Sequence, residues 1–202
     1  VVTSNRGLAG WYNASVIKLI TGSDLKPDDL LLYTVGNKGK EYFQHREYTI
    51  AKDYSEVIEN PMFSDAKEIC EEVLGGYAAG EISEIYLAYT YFKNTVVHEP
   101  KLLKLLPVEI EEADIEAAKA DSLMNYEPEE TEALEIIIPK YVTSILYGAL
   151  VEAIASENGA RMQAMDSATS NAQDMIDHLT LQYNRARQGS ITQELTEIIA
   201  GA

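Results

Sequence analysis

The sequence predicts an α/β protein. It expects a small, largely parallel sheet with flanking helices in Rossmann-like layers, continued by a long C-terminal coiled-coil helix. Three observations carry this. Apolar runs of strand length alternate with stretches of helical spacing in the first part of the chain. Residues 140–200 contain no proline, although a globular helix averages about 11 to 12 residues. From Met162 onward, apolar and small residues recur at alternating spacings of three and four.

The elements follow in order. Residues 1–3 read as the end of a buried strand, and SNRGLAGWYN as a glycine-containing loop. Asn13 is placed to cap a helix over ASVIKLI. GSDLKPDD marks a turn, and DLLLYTVG is a continuous apolar strand ended by Gly36. NKGKEYFQHRE can hold a short helix and EYTIAKDY a weak strand. Over residues 64–79, Ala66, Ile69, Cys70, Val73, Leu74 and Tyr77 share one helical face. SEIYLAYTYFKN is a second strong strand. NTVVHEPKLLKLLPV is a third extended segment, with Pro100 and Pro107 marking edges or ends. Residues 109–121 are acidic and weakly patterned, which fits a solvated loop. EPEETEALEIII places acids in a first helical turn, as the helix dipole prefers, and Pro139 sits near a helix start. Two domains are expected: an α/β domain over residues 1–128 and a helical shaft over residues 129–202.

The seam is Met162, Met165, Thr169, Ala172, Ile176, Leu179, Tyr183 and Ala186. Its small members allow a partner backbone to approach closely. After Ala186 the apolar positions become Ile191, Leu195, Ile198 and Ile199, a shift of register. From residue 179 onward there are two basic and two acidic side chains, so Arg185 and Arg187 form a local basic spot. Two solvated arginines near a helix end would read the same way.

Composition narrows the function. The chain has 202 residues, 46% of them hydrophobic, and a net charge of −17. That balance argues against nucleic-acid binding, which needs a basic surface. The single cysteine, Cys70, excludes an internal disulfide and a cysteine zinc site, and fits a small core residue. The most apolar stretch, residues 136–155, contains Pro139, Lys140 and Glu152 and falls short of a membrane span. RGLAG has only two of the glycines a phosphate loop would need. His45, His98 and His178 are scattered without metal-ligand spacing. Trp11 and Tyr12 fit either a core or an exposed contact. The residues therefore point to a partner-binding protein with a rod, with no catalytic group, metal or cofactor expected. A nucleotide- or ligand-binding α/β domain with a dimerising helix is the alternative, and a generic coiled-coil adaptor is a third.

The same residues carry a resemblance. TSNRGLAGWYN looks like the glycine loop of the gamma subunit of rotary F-type ATP synthases, and TVGNKGKEYF suits its next strand and turn. NYEPEETEAL resembles that family's YEPD segment. ASENGARMQAMDSATSNAQDMIDHLTLQYNRARQGSITQELTEIIAGA is similar to its signature C-terminus. The last block is highly specific and the loop moderately so. Residues 40–120 match mainly in layout. The family begins with a long N-terminal helix that pairs antiparallel with the C-terminal one. This chain opens on VVTSN, so residues are expected to precede it.

The resemblance implies a non-catalytic central-stalk rotor. It would couple proton or sodium flow through a membrane ring of c subunits to conformational change at catalytic beta subunits in an alpha–beta hexamer. Arg187, Gln188, Thr192 and Glu194 match the family's contacts to a beta-subunit loop. Arg161 matches a shaft arginine near an acidic beta lever. Tyr126 and Glu127 match the foot that meets the ring and the epsilon subunit. The implied location is the cytoplasmic face of the bacterial cell membrane, as a peripheral protein held there indirectly.

Overall fold

The computed structural model describes residues 1–23, 25–108 and 130–201. The acidic stretch 109–121, Tyr126 and Glu127 lie outside the described residues. Two compact units divide the chain, Val1–Arg161 and Met162–Ala202.

In the first unit, residues 1–3 are extended, with Val2 and Thr3 fully buried. The Val2 amide donates to the Ala88 carbonyl at 2.8 Å, while Thr3 donates to Val35 and Val35 to Val1, each at 2.8 Å. This segment thus joins two strand pairs. On one side β1 (Leu31–Thr34) pairs in parallel with β2 (Thr49–Asp53). On the other, β3 (Ile85–Phe92) pairs antiparallel with β4 (His98–Leu106), Ile85 opposite Leu106 and Phe92 opposite His98. The short connection of residues 93–97 makes that pair a hairpin, and a hairpin is necessarily antiparallel. Pro100 lies inside β4 opposite Thr90, as an edge strand permits, and β4 stops before Pro107.

Helices cover both faces. On one, α1 (Tyr12–Thr21) and α2 (Asn37–Gln44) bring Val16, Ile17, Ile20 and Phe43 against Leu32 and Ala88. On the other, α3 (Phe63–Ala78) supplies Ala66, Ile69 and Cys70. There it meets Val142, Leu146, Ala149, Leu150 and Ala153 of the last helix, α4 (Glu130–Ala200). Successive strand residues divide between the clusters, Leu87 to one and Ala88 to the other, as a pleated strand requires. α3 starts where the Asp65 carboxylate reaches back to accept the Met62 amide at 2.8 Å. The Cys70 thiol is 3% exposed, and burial pushes its pKa up, so it is a core residue.

Two expectations change. Asn13 does not cap α1, whose N-cap is Trp11 without a side-chain bond. Its amide instead braces the loop: Oδ1 accepts the Ser4 amide at 2.9 Å and Nδ2 donates to Ser4 Oγ at 2.8 Å. Pro139 is no helix start. α4 runs through it, and Thr143 Oγ1 donates to the Pro139 carbonyl at 2.7 Å while Ile138 and Val142 pack on the core. Burial of that face offsets the lost backbone bond. α4 also continues through Gly148, Gly159 and Gly189.

α4 is long enough to cross a membrane, and one 18-residue stretch of it has a mean hydropathy of 1.5. One face of it, around Leu146 and Leu150, is part of the core of the first unit. Leu150 is fully buried. Leu150→Ala should cost about 3 kcal/mol, read as a lower urea midpoint at unchanged slope. A loss below about 0.5 kcal/mol, the range of surface changes, would mean that this face of α4 does not support the core.

Candidate functional site

The second unit is helix almost to its end, and it buries none of the apolar residues it carries. Among the seam residues, Met162, Met165, Ile176, Leu179 and Tyr183 are exposed, Tyr183 by 67%. Thr169, Ala172 and Ala186 are exposed too. The Thr169 hydroxyl donates to the Met165 carbonyl at 2.9 Å, so the seam makes no unmet polar demand there. An apolar stripe of this length left in water marks a binding surface. The chain alone is expected to self-associate through it. Sedimentation showing a monomer at every concentration tested would count against that.

Counting the same spacing back from Met162 passes through Asn158, Ala155, Val151, Gly148, Ser144, Tyr141, Ile137 and Leu134. In the first unit Leu134, Ile137, Tyr141 and Val151 are all exposed, on the side of α4 away from Leu146 and Leu150. The sequence reading stopped the seam at Met162. The signal is present as the continued heptad, masked by the polar and small residues at 158, 155, 148 and 144.

Beyond the seam, Arg187, Ile191, Glu194 and Ile198 fall on one helical row and Gln188, Thr192, Leu195 and Ile199 on the next. The polar group and the apolar tip therefore share one broad face. Ile191, Leu195, Ile198 and Ile199 are all exposed. On the other side Gln193 donates to Glu197 at 3.0 Å. Among the described residues, the side chains of Arg187, Gln188 and Glu194 make no hydrogen bond or ion pair. A guanidinium and a carboxamide held ready on a helix suit planar, bidentate recognition of carboxylates or carbonyls.

Arg161 differs from these four. It belongs to the first unit, and its Nη2 lies 2.5 Å from Glu157 Oε1 one turn earlier. Its charge is already partnered.

Among the described residues, the first turn of α2 offers no phosphate cradle. The first amides of α2 are taken: Asn37 donates to Asn5 Oδ1, Lys38 to the Ser4 carbonyl and Gly39 to Thr3 Oγ1, at 2.9–3.0 Å. A cavity of about 250 Å³ is lined by residues such as Leu30, Val73 and Ile82 with Asp29, Glu81 and Glu84, and among the described residues no lysine or arginine lines it. That lining repels phosphate. Among the described residues no three metal-ligating side chains cluster. Trp11 and Tyr12 separate, Trp11 83% exposed and Tyr12 buried.

A family model described as ATP synthase matches residues 1–202. The ATP synthase gamma chain of Lachnoclostridium phytofermentans is 62% identical over 208 residues, covering 100% of this chain and 72% of that one. The sodium ion specific ATP synthase gamma chain of Acetobacterium woodii is 43% identical at the same coverage. The Tetrahymena thermophila mitochondrial ATP synthase central stalk and c-ring includes a similar chain, with 25% identity and a TM-score of 0.62 over 83% of this chain and 74% of that one. A chain of the Euglena gracilis mitochondrial ATP synthase in rotational state 3 shares the fold at 18% identity. Its TM-score is 0.72, over 98% of this chain and 69% of that one.

Proposed function

The chain belongs to the ATP synthase gamma-chain family, and on that premise we propose how its exposed helix works. It is a non-catalytic subunit, the rotor of the central stalk, and part of a membrane-associated complex. Its stalk binds the F1 part and the c-ring. Residues 1–128 act as the foot and residues 129–202 as the shaft. Tyr126 and Glu127 meet the ring and the epsilon subunit. Arg187, Gln188, Thr192 and Glu194 engage a loop of the beta subunit, and Ile191, Leu195 and Ile198 run in an apolar sleeve at the top of the alpha–beta hexamer. Arg161 faces an acidic segment of beta, which then competes with Glu157 for the guanidinium. The complex sits on the cytoplasmic face of the cell membrane.

The physical basis is differential contact. A ligand shifts an equilibrium only by binding its states unequally. A face that is polar and apolar by turns offers each beta conformation a different energy at each rotor angle. A uniform cylinder would offer the same energy at every angle. The observation that carries this reading is the second unit itself, a helix whose apolar and charged residues all face outward. Reconstitution with alpha and beta subunits tests it: the chain should co-purify with the hexamer. A hexamer that never retains the chain would sink it. So would a specific ATP site on the chain, found by titration.

A further inference from the structure

We propose that His98, seated in a notch at Gly159, is a key that fixes the rotation of α4 against the α/β body. Torque reaching the body then turns the helix and does not slip at the joint. The proposal rests on the rotor reading, and concerns only residues 1–161.

Most of the contact between α4 and the body is apolar, through Val142, Leu146, Ala149, Leu150 and Ala153. Hydrophobic contact is non-directional and resists separation better than sliding. From Ser156 the contact changes character. Ser156 is fully buried, and its hydroxyl lies 3.4 Å from the Thr90 carbonyl of β3. Nearly one turn later, Gly159 has no side chain. A Cβ there would stand 2.8 Å from His98 Cε1, 3.2 Å from His98 Nε2 and 3.2 Å from the Thr95 carbonyl oxygen. The imidazole and the hairpin backbone thus meet the helix backbone directly.

The key is itself held. His98 pairs with Phe92 across the hairpin, and the two rings stack with centroids 6.0 Å apart and planes 29° from parallel. Both His98 ring nitrogens are enclosed without a hydrogen-bond partner among the described residues. The ring therefore contributes shape here and no polar bond. Turning α4 by one residue, about 100°, would bring the side chain of Asn158 or Ala160 onto the ring. Close-packed groups of this kind block the turn in both directions and transmit strain.

The test uses the assembled rotary complex with His98→Ala, His98→Phe and Gly159→Ala. Torsional stiffness is read between a bead on the α/β body and the fixed hexamer, alongside ions moved per ATP hydrolysed. His98→Ala should lower the stiffness about twofold, since a void forfeits the contact. It should lower the ion-to-ATP ratio while hydrolysis by the hexamer continues. His98→Phe keeps the ring and should restore both. Unchanged stiffness in His98→Ala overturns the key, as does a His98→Phe variant no better than His98→Ala. Gly159→Ala fills the notch and should lower stiffness too. If it does not fold, the two His98 variants decide alone. In the free chain, amide exchange over residues 156–161 should rise in His98→Ala and fall back in His98→Phe. Flat exchange there overturns the joint whatever the complex does. A wild-type chain that never joins the hexamer sinks the rotor reading alone.

Discussion

Replacing Arg187 and Gln188 together by alanine is expected to lower coupled ATP turnover of the assembled complex by about ten- to a hundredfold. That is the loss of one or two charge-assisted hydrogen bonds of about 1.5–3 kcal/mol. The stability of the free chain should not change. Both side chains stand exposed on α4 and make no hydrogen bond or ion pair among the described residues. Alanine is also the best helix former, so the helix loses no propensity. Function and stability are thereby separated: a thermal melt of the free variant overlays the parent, while ATP-driven transport in vesicles falls. Unchanged transport would remove these two residues from the beta contact. A lower melting temperature would show that they support the helix instead.

Gly36→Ala is the change expected to damage the fold most. Gly36 follows β1 with φ +106°, a conformation that side chains rarely adopt. A Cβ there would lie 2.2 Å from the Thr3 carbonyl oxygen and 2.6 Å from its carbon. Both partners are backbone of the central segment, and that segment is tied to Val35 and Ala88 on its two sides. It cannot give way without opening the sheet. Strain and clash together should cost about 4 kcal/mol, or roughly 10 °C in melting temperature for a chain of this size. Gly10→Ala is the control. Its φ is +57°, yet nothing lies within 4 Å of the added Cβ, so about 1 kcal/mol is expected. Similar losses for the two would show that Thr3 does move aside.

Much of the fold was legible because periodicity is local. The α3 face of Ala66, Ile69 and Cys70 and the runs that became β1 and β3 could be read directly, since burial on one side leaves a period in the sequence. Asn13 misled because its type and place suit a cap, and only the folded loop brings Ser4 within reach of it. Trp11 and Tyr12 are neighbours in sequence, and the phase of α1 decides which one is buried. Pro139 usually ends a helix, but tertiary packing of Ile138 and Val142 overrode that preference.

The polar residues of the candidate site were legible as a motif, and their isolation was not. Sequence alone could not show that Glu157 already holds Arg161 while Arg187 stays unpartnered, because side-chain pairing depends on which rotamers and neighbours coincide.

What the sequence determined by itself was the order of the elements, the heptad spacing and the family, all of which depend on spacing and residue type along the chain. The tertiary structure decided the rest. It set which strand pairs ran parallel, which loop Asn13 braces, how far back the exposed stripe runs and that His98 meets Gly159. Each of these joins residues far apart in sequence, and such contacts form only when the whole chain closes its core around them.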